Sequence, residues 1–240
     1  MVLQSLLRAI YPPQCLTCEV LTDADHALCP TCWRDTHFIH GLVCDSCGIP
    51  LPGTPEDAPA ICDDCLRTPR AWDQGRAAML YGDKSRAIVL GLKYHDRQDY
   101  ARAGGRWLHG AARPMLRPDM LVAPIPLHWL RLAKRRYNQS ALLSAALARA
   151  AGLEHCPDLL IRTRHTGTQD GRGLRGRFDN LEGAIAPHPR RAARIKGRDI
   201  LLVDDVMTAG ATFSAATEAC LAAGAASVRV VALARVAPGA

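Results

Sequence analysis

No apolar run in this 240-residue chain approaches the roughly 20 residues needed to cross a bilayer, which excludes a helical membrane span. Residues 1–10 carry one arginine and a short apolar stretch. Pro12, Pro13 and Cys15 follow, where a secretory leader would have a small-residue cleavage site. The expectation is a cytoplasmic protein. Aromatic residues are scarce at 5 %, and alanine fills many helix positions. After residue 66 cysteine nearly vanishes, leaving only Cys156 and Cys220. No internal repeat is visible apart from the earlier cysteine pairs. Acidic residues are also short: 23 against 30 basic ones, a formal net charge of +7. That balance fits phosphate-bearing ligands or nucleic acid, or simply a solvated basic surface. The basic residues cluster at 131–136, 162–177 and 190–198. The rest of the composition, 48 % hydrophobic and 22 % charged, is that of a globular protein with room for one α/β domain and a small module.

Eight cysteines stand in four C-x-x-C pairs before residue 66: Cys15/Cys18, Cys29/Cys32, Cys44/Cys47 and Cys62/Cys65. This spacing lets two thiolates of one tight turn meet a single tetrahedral ion, so four pairs supply two structural Zn²⁺ sites. Disulfides do not suit the expected compartment, and a redox centre needs one such pair, not four. Sequential ribbons and a cross-braced pairing are both compatible with the spacing. A module this small and poor in core needs metal to hold its fold. Cys220 reads as packing.

The densest chemistry lies in Ile200-Leu-Leu-Val-Asp-Asp-Val-Met-Thr-Ala-Gly-Ala-Thr212. A buried strand delivers Asp204 and Asp205 to its carboxyl end, where open α/β sheets bind ligands. The turn Thr208, Ala209, Gly210, Ala211 and Thr212 has no bulky side chain. Its N–H groups can close around a phosphate at the start of a helix expected over 213–223, and the threonines add hydroxyls. The acids can accept hydrogen bonds from vicinal hydroxyls or face a Mg²⁺ shell. The arrangement suits a ribose phosphate; an ordinary strand–helix turn is the plain alternative.

Around it, strands are expected at 76–81, 121–125, 159–162 and 228–234, and helices at 84–94, 100–116 and on to about 151. Alternating strands and helices give an α/β fold with a parallel sheet. Residues 67–73 read as a linker and 76–116 as a hood over the site. The basic loop after the strand at 121–125 places Lys134, Arg135 and Arg136 where a pyrophosphate would sit. The polar segment 163–180, with Arg164, Thr166 and Gln169, reads as a loop able to close over a charged substrate. Trp33, Phe38, Trp72 and Tyr81 could stack bases, although core packing suits most of them better.

The strand, acids and threonine-rich turn resemble the type I phosphoribosyltransferases. Five features together resemble the ComF family across nearly the whole chain. They are the double ribbon, Leu92-Lys93-Tyr94, Pro124-Ile125-Pro126 with Arg135-Arg136-Tyr137-Asn138-Gln139, Arg164-x-Thr166-x-x-Gln169, and the phosphate turn. The resemblance implies a double zinc ribbon over 1–70 and a phosphoribosyltransferase-like domain over 71–240. It implies that phosphoribosyl pyrophosphate (PRPP) binds with Mg²⁺, and that the protein serves natural competence, the uptake of single-stranded DNA. Asp204 and Asp205 would hold the ribose hydroxyls as catalytic acids; the sequence itself fixes no general base, and Asp205 is a candidate only by position. Residues 208–212 would hold the 5-phosphate, Lys134, Arg135 and Arg136 the pyrophosphate, and Arg164, Thr166 and Gln169 would belong to the flexible loop. Members are often labelled amidophosphoribosyltransferases, but no glutaminase domain is visible and Cys15 belongs to a metal pair, so that literal activity is not expected. Catalysis itself is left open. The alternative is a non-catalytic PRPP sensor that adapts single-stranded DNA or a helicase-like protein. Two departures stand out: Arg136 and Tyr137 replace Gly and Phe of the family's Gly-Phe-Asn-Gln run.

Overall fold

The computed structural model describes residues 11–54, 58–164, 181 and 183–237, the side chain of Lys134 excepted. At its centre is a five-stranded sheet in which every neighbouring pair is parallel. Its strands are β1 (Gln74–Leu80), β2 (Leu121–Pro124), β3 (Glu154–His155), β6 (Asp199–Met207) and β7 (Ser227–Arg235), in the spatial order β1-β7-β6-β2-β3. Two more, β4 (Leu160–Arg162) and β5 (Ile185–Pro187), make a separate antiparallel pair.

Strand β6 is apolar almost throughout because both its faces are covered. Successive side chains alternate between faces. Leu201 and Val203 join a core with Ile88, Leu92, Leu108, Leu143 and Leu147. These come from α3 (Asp83–Tyr94), α4 (Tyr100–Ala112) and α6 (Gln139–Ala151). Ile200 and Leu202 face the other way, toward Phe213, Ala216 and Cys220 of α7 (Ala211–Ala222). Helices α4 and α6 pack close because Gly105 has no side chain: a Cβ there would lie 2.4 Å from that of Ala146.

The segment 76–116, expected as a hood over the site, is built into the main domain. Residues 74–80 are the edge strand of the main sheet, and α3 and α4 cover one of its faces. Apolar periodicity identified these helices without saying which layer they belong to. The helix expected over 100–116 ends at Ala112 and tightens into a 3₁₀ turn over Arg113–Met115. Strands β3 and β5, only two and three residues long, gave no periodicity to detect.

The ribbons precede the sheet. The knuckles around Cys15 and Cys44 repeat one design. The N–H of Cys15 donates to Val20 at 2.7 Å, and that of Cys44 to Ile49 at 2.8 Å. The left-handed position within each knuckle is Glu19 (φ 62) in the first and Gly48 (φ 70) in the second. The second pair of each ribbon opens a short helix, α1 (Pro30–Asp35) after Cys29 and α2 (Asp63–Arg67) after Cys62. Residues between the ribbons cover the free edge of β1: Leu80 donates to His37 and Ile39 to Ala78. A covered edge cannot recruit a foreign strand. Residues 67–73 are more than a linker. Trp72 is buried against Phe213, and Asp73 exchanges two hydrogen bonds with Val228. Phe38 packs on Trp33 and Trp107, so Phe38 and Trp72 are packing residues, not base platforms.

Candidate functional site

A cleft of about 840 Å³ opens at the carboxyl ends of β6, β2 and β7. Its floor is Asp204 and Asp205. Its wall carries Lys93, Arg131, Arg135, Arg136 and Arg162, and Thr208 and Thr212 close one end. The apolar run of β6 ends at Val203, where its pairing with β2 ends, while its pairing with β7 runs on to Met207, so the two acids lie beside the end of β2.

Each acid is tied down. Asp204 Oδ1 accepts from the Ser140 hydroxyl at 2.6 Å and from the Asp205 N–H at 2.9 Å. Asp205 Oδ1 lies 2.9 Å from Lys93 Nζ. Burial, reinforced by the Asp205 charge, pushes Asp204 up to about 7, against the pull of Ser140 and Lys93. Burial works against the Lys93 cation, but Asp205 and then Asp204 overcome it and hold Lys93 above its ordinary value. Burial and the neighbouring Arg131 charge lower Arg162, offset by Asp204.

Asn138 sets the position of Ser140. It caps α6 by accepting from the Ser140 N–H at 3.0 Å, while its amide donates to Ile125 at 3.0 Å. One side chain thus fixes both the end of β2 and the start of the helix. The two departures in this run have local consequences. Arg136 ends α5 (Trp129–Arg135) in the left-handed conformation, φ 67, where glycine is the unstrained residue. Tyr137 donates its hydroxyl to Leu92 at 2.8 Å, a tether that Phe lacks.

The turn 208–212 is held from behind. Gly210, φ 84, precedes α7, and a Cβ there would lie 2.7 Å from the Trp72 ring, so no other residue fits. Arg235, buried, donates to the carbonyls of Met207 and Thr208 at 3.3 and 2.6 Å. Carbonyls drawn to the protein side leave the turn's N–H groups for a ligand.

Of the residues singled out from sequence, the structure gathers Asp204, Asp205, Thr208, Thr212, Arg135 and Arg136 on one cleft, with Ala209, Gly210 and Ala211 forming the turn between the threonines. Lys134 stands on α5, with its side chain outside the described residues. Arg164 is exposed and is not among the residues that line the cleft, and Thr166 and Gln169 lie outside the described residues. Lys93, Ser140, Arg131 and Arg162 went unassigned. The motif Leu92-Lys93-Tyr94 was the one signal that could have pointed to Lys93.

The eight ribbon cysteines gather as two groups, Cys15/Cys18/Cys29/Cys32 and Cys44/Cys47/Cys62/Cys65, with the sulfurs of each within 4.8 Å of one another. This selects sequential ribbons over the cross-braced pairing. Zinc fits them. A tetrahedral ion with bonds of about 2.3 Å separates its sulfurs by about 3.8 Å. Cys18 and Cys29 stand 3.6 Å apart, and Cys47 and Cys62 3.7 Å. In each group one thiolate is favoured, Cys44 and Cys15, while Cys47, Cys18 and Cys65 are pushed up. The Cys47 thiol, with N–H donors of Cys62 and Cys47, pulls Cys44 down to about 4 against burial. Burial opposes ionisation of Cys15, but donors from Cys29 and Thr17 hold it at about 6.

The two halves match known families: residues 6–66 the double zinc ribbon domain, and residues 140–239 the phosphoribosyl transferase domain. The protein is therefore a zinc-ribbon protein with a phosphoribosyltransferase-like α/β domain. The DNA utilization protein YhgH of Escherichia coli (strain K12) is 32 % identical over 231 residues, covering 93 % of this chain and 97 % of that one. Competence protein F of Haemophilus influenzae is 27 % identical, covering 92 % and 96 %. Competence protein ComFC of Bacillus subtilis is 29 % identical, covering 80 % and 77 %. The chain belongs to the ComF family. Among the described residues, no helix is long and apolar enough to cross a membrane.

Proposed function

We propose that the cleft binds PRPP and displaces its pyrophosphate. The observation that carries this reading is the juxtaposition of two acids with a small-residue turn at a helix start, under an arginine wall. Asp204 and Asp205 accept hydrogen bonds from the ribose hydroxyls. The N–H groups of 208–212 and the hydroxyls of Thr208 and Thr212 take the 5-phosphate. Arg131, Arg135 and Arg136, with Lys134, face the pyrophosphate and stabilise charge as it leaves C1 of the ribose, in a transition state of oxocarbenium character. A nitrogen nucleophile attacks from the opposite face. Of the two acids, Asp204, at about 7, is the one poised to exchange a proton near neutrality. Asp204 Oδ1 and Asp205 Oδ1 are already engaged, so the remaining carboxylate oxygens suit Mg²⁺ arriving on the substrate's own oxygens. The ion would neutralise the departing pyrophosphate. Segment 163–180, with Arg164, Thr166 and Gln169, would exclude water from the activated sugar.

The second reading is a PRPP sensor that adapts single-stranded DNA, or a helicase-like protein, in a cytoplasmic competence pathway. It is favoured by the cleft lining, where Tyr94, 64 % exposed, lies under the Arg135 guanidinium at 5.1 Å, with Arg131 on the same cleft. Such a lining offers stacking and charge together. Pyrophosphate release from PRPP and Mg²⁺ over a panel of nucleobases separates the two. Release that depends on one base, and is lost in Asp204→Asn/Asp205→Asn, makes the protein a transferase. PRPP bound without release makes it a sensor, whose DNA binding should weaken steeply with salt. Undiminished PRPP affinity in the double variant would overturn the site.

A further inference from the structure

We propose that Arg70 is a positioning residue that couples the second zinc ribbon to the phosphate-binding turn. One guanidinium holds both. Its Nε donates to Cys65 Sγ at 3.3 Å, and its Nη1 donates to the Ala209 carbonyl at 2.8 Å. The guanidinium is planar and rigid, so the metal ligand and the middle of the turn are held at one fixed separation. Ala209 is the one residue between Thr208, whose carbonyl Arg235 holds, and Gly210, which rests on Trp72. Trp72 itself donates to Ser46, inside the knuckle of the same ribbon, at 2.5 Å. The ribbon therefore supports the turn by a packed contact and by a charged one, and among the described residues Arg70 is the one that joins a metal ligand to it directly. The donor set of the second ribbon fits zinc, and a zinc-bound thiolate is a better acceptor for Arg70 than a thiol. Loss of the metal, or oxidation of Cys65, releases the guanidinium and with it the Ala209 carbonyl. By linkage, a ligand that orders the turn must then tighten the metal site in return. Among the described residues, the first ribbon's side-chain hydrogen bonds to the main domain, Tyr100 to Leu16 and Arg106 to His26, lead to α4 and not to the turn.

The phosphate role of the turn rests on the reading above, so the first measurement uses no ligand. Amide exchange is compared in zinc-loaded full-length wild type and Arg70→Gln. The key reporter is Ser214, whose N–H closes the turn on Gly210 at 2.9 Å. Loss of a charged hydrogen bond should speed exchange at 209–214 by roughly tenfold while both zinc ions stay bound. If Arg70→Gln loses metal, Arg70→Lys is read instead, because a single ammonium can keep Cys65 but cannot span both acceptors. Exchange at wild-type rates in the metal-loaded variant overturns the coupling. The second measurement replaces zinc with Co²⁺ and follows the thiolate-to-cobalt absorption as PRPP is added. A shift in wild type that is absent from Arg70→Gln supports the coupling, and an equal shift in both overturns it. A wild type that binds no PRPP overturns the reading of the cleft, and the ligand-free exchange then decides the coupling by itself.

Discussion

Asp204 should give the protein an unusual response to pH. Its carboxyl sits at about 7 in the fold against an ordinary 3.8. A group whose folded value is raised keeps its proton longer folded than unfolded, so the fold loses stability as pH climbs through that interval. Asp204→Asn removes the titration while keeping an acceptor for Ser140. Urea denaturation at pH 4.5 and 7.5 (conditions chosen about the ends of that interval) should show a smaller drop for the variant than for wild type. An equal drop would mean that Asp204 is not the group at work. The acids themselves were legible because they adjoin the strand and turn that define them. Lys93 and Ser140 were not, because their partners on β6 lie far along the chain and pairing at that range leaves no local pattern. The left-handed Arg136 was visible only as a departure from a glycine, and its backbone strain appeared with the structure.

At the level of elements, periodicity located α3, α6 and α7 well without showing which layer α3 and α4 join. The reason is physical: an apolar stripe shows that a face is buried, not what buries it. Gly105 illustrates the difference. By propensity an alanine there should strengthen α4 by about 1 kcal/mol. Its Cβ would instead meet Ala146 at 2.4 Å and the backbone of α6 at 2.7 Å. Gly105→Ala should therefore destabilise the domain, by about 1–3 kcal/mol. A thermal midpoint at or above that of wild type would show that the helices can part without cost. Separating α4 from α6 would also disturb the start of α6, where Ser140 meets Asp204.

For the whole molecule, the ribbons are unequal. Cys44, Cys47, Cys65 and Trp72 share a continuous core with Phe213 and Met207, whereas Cys15, Cys29 and Cys32 form a small cluster of their own. The four pairs gave the metal chemistry at sight, but nothing in their spacing told the two sites apart. Cys44→Ser should therefore weaken PRPP binding about tenfold or more, a coupling within the usual range. Cys15→Ser, which also removes a zinc ligand, should leave binding near wild type. Equal losses in the two, measured by calorimetry with zinc content, would mean that the ribbons act alike. The strand order carries one more consequence, for synthesis. Gln74 of β1 pairs with Arg229 of β7, which is synthesised far later than β1 itself. The ribbons can take their zinc early, but β1 waits with an open edge until β7 emerges. A nascent chain arrested before residue 227 should carry metal, have no closed sheet, and depend on chaperones to keep that edge from other chains.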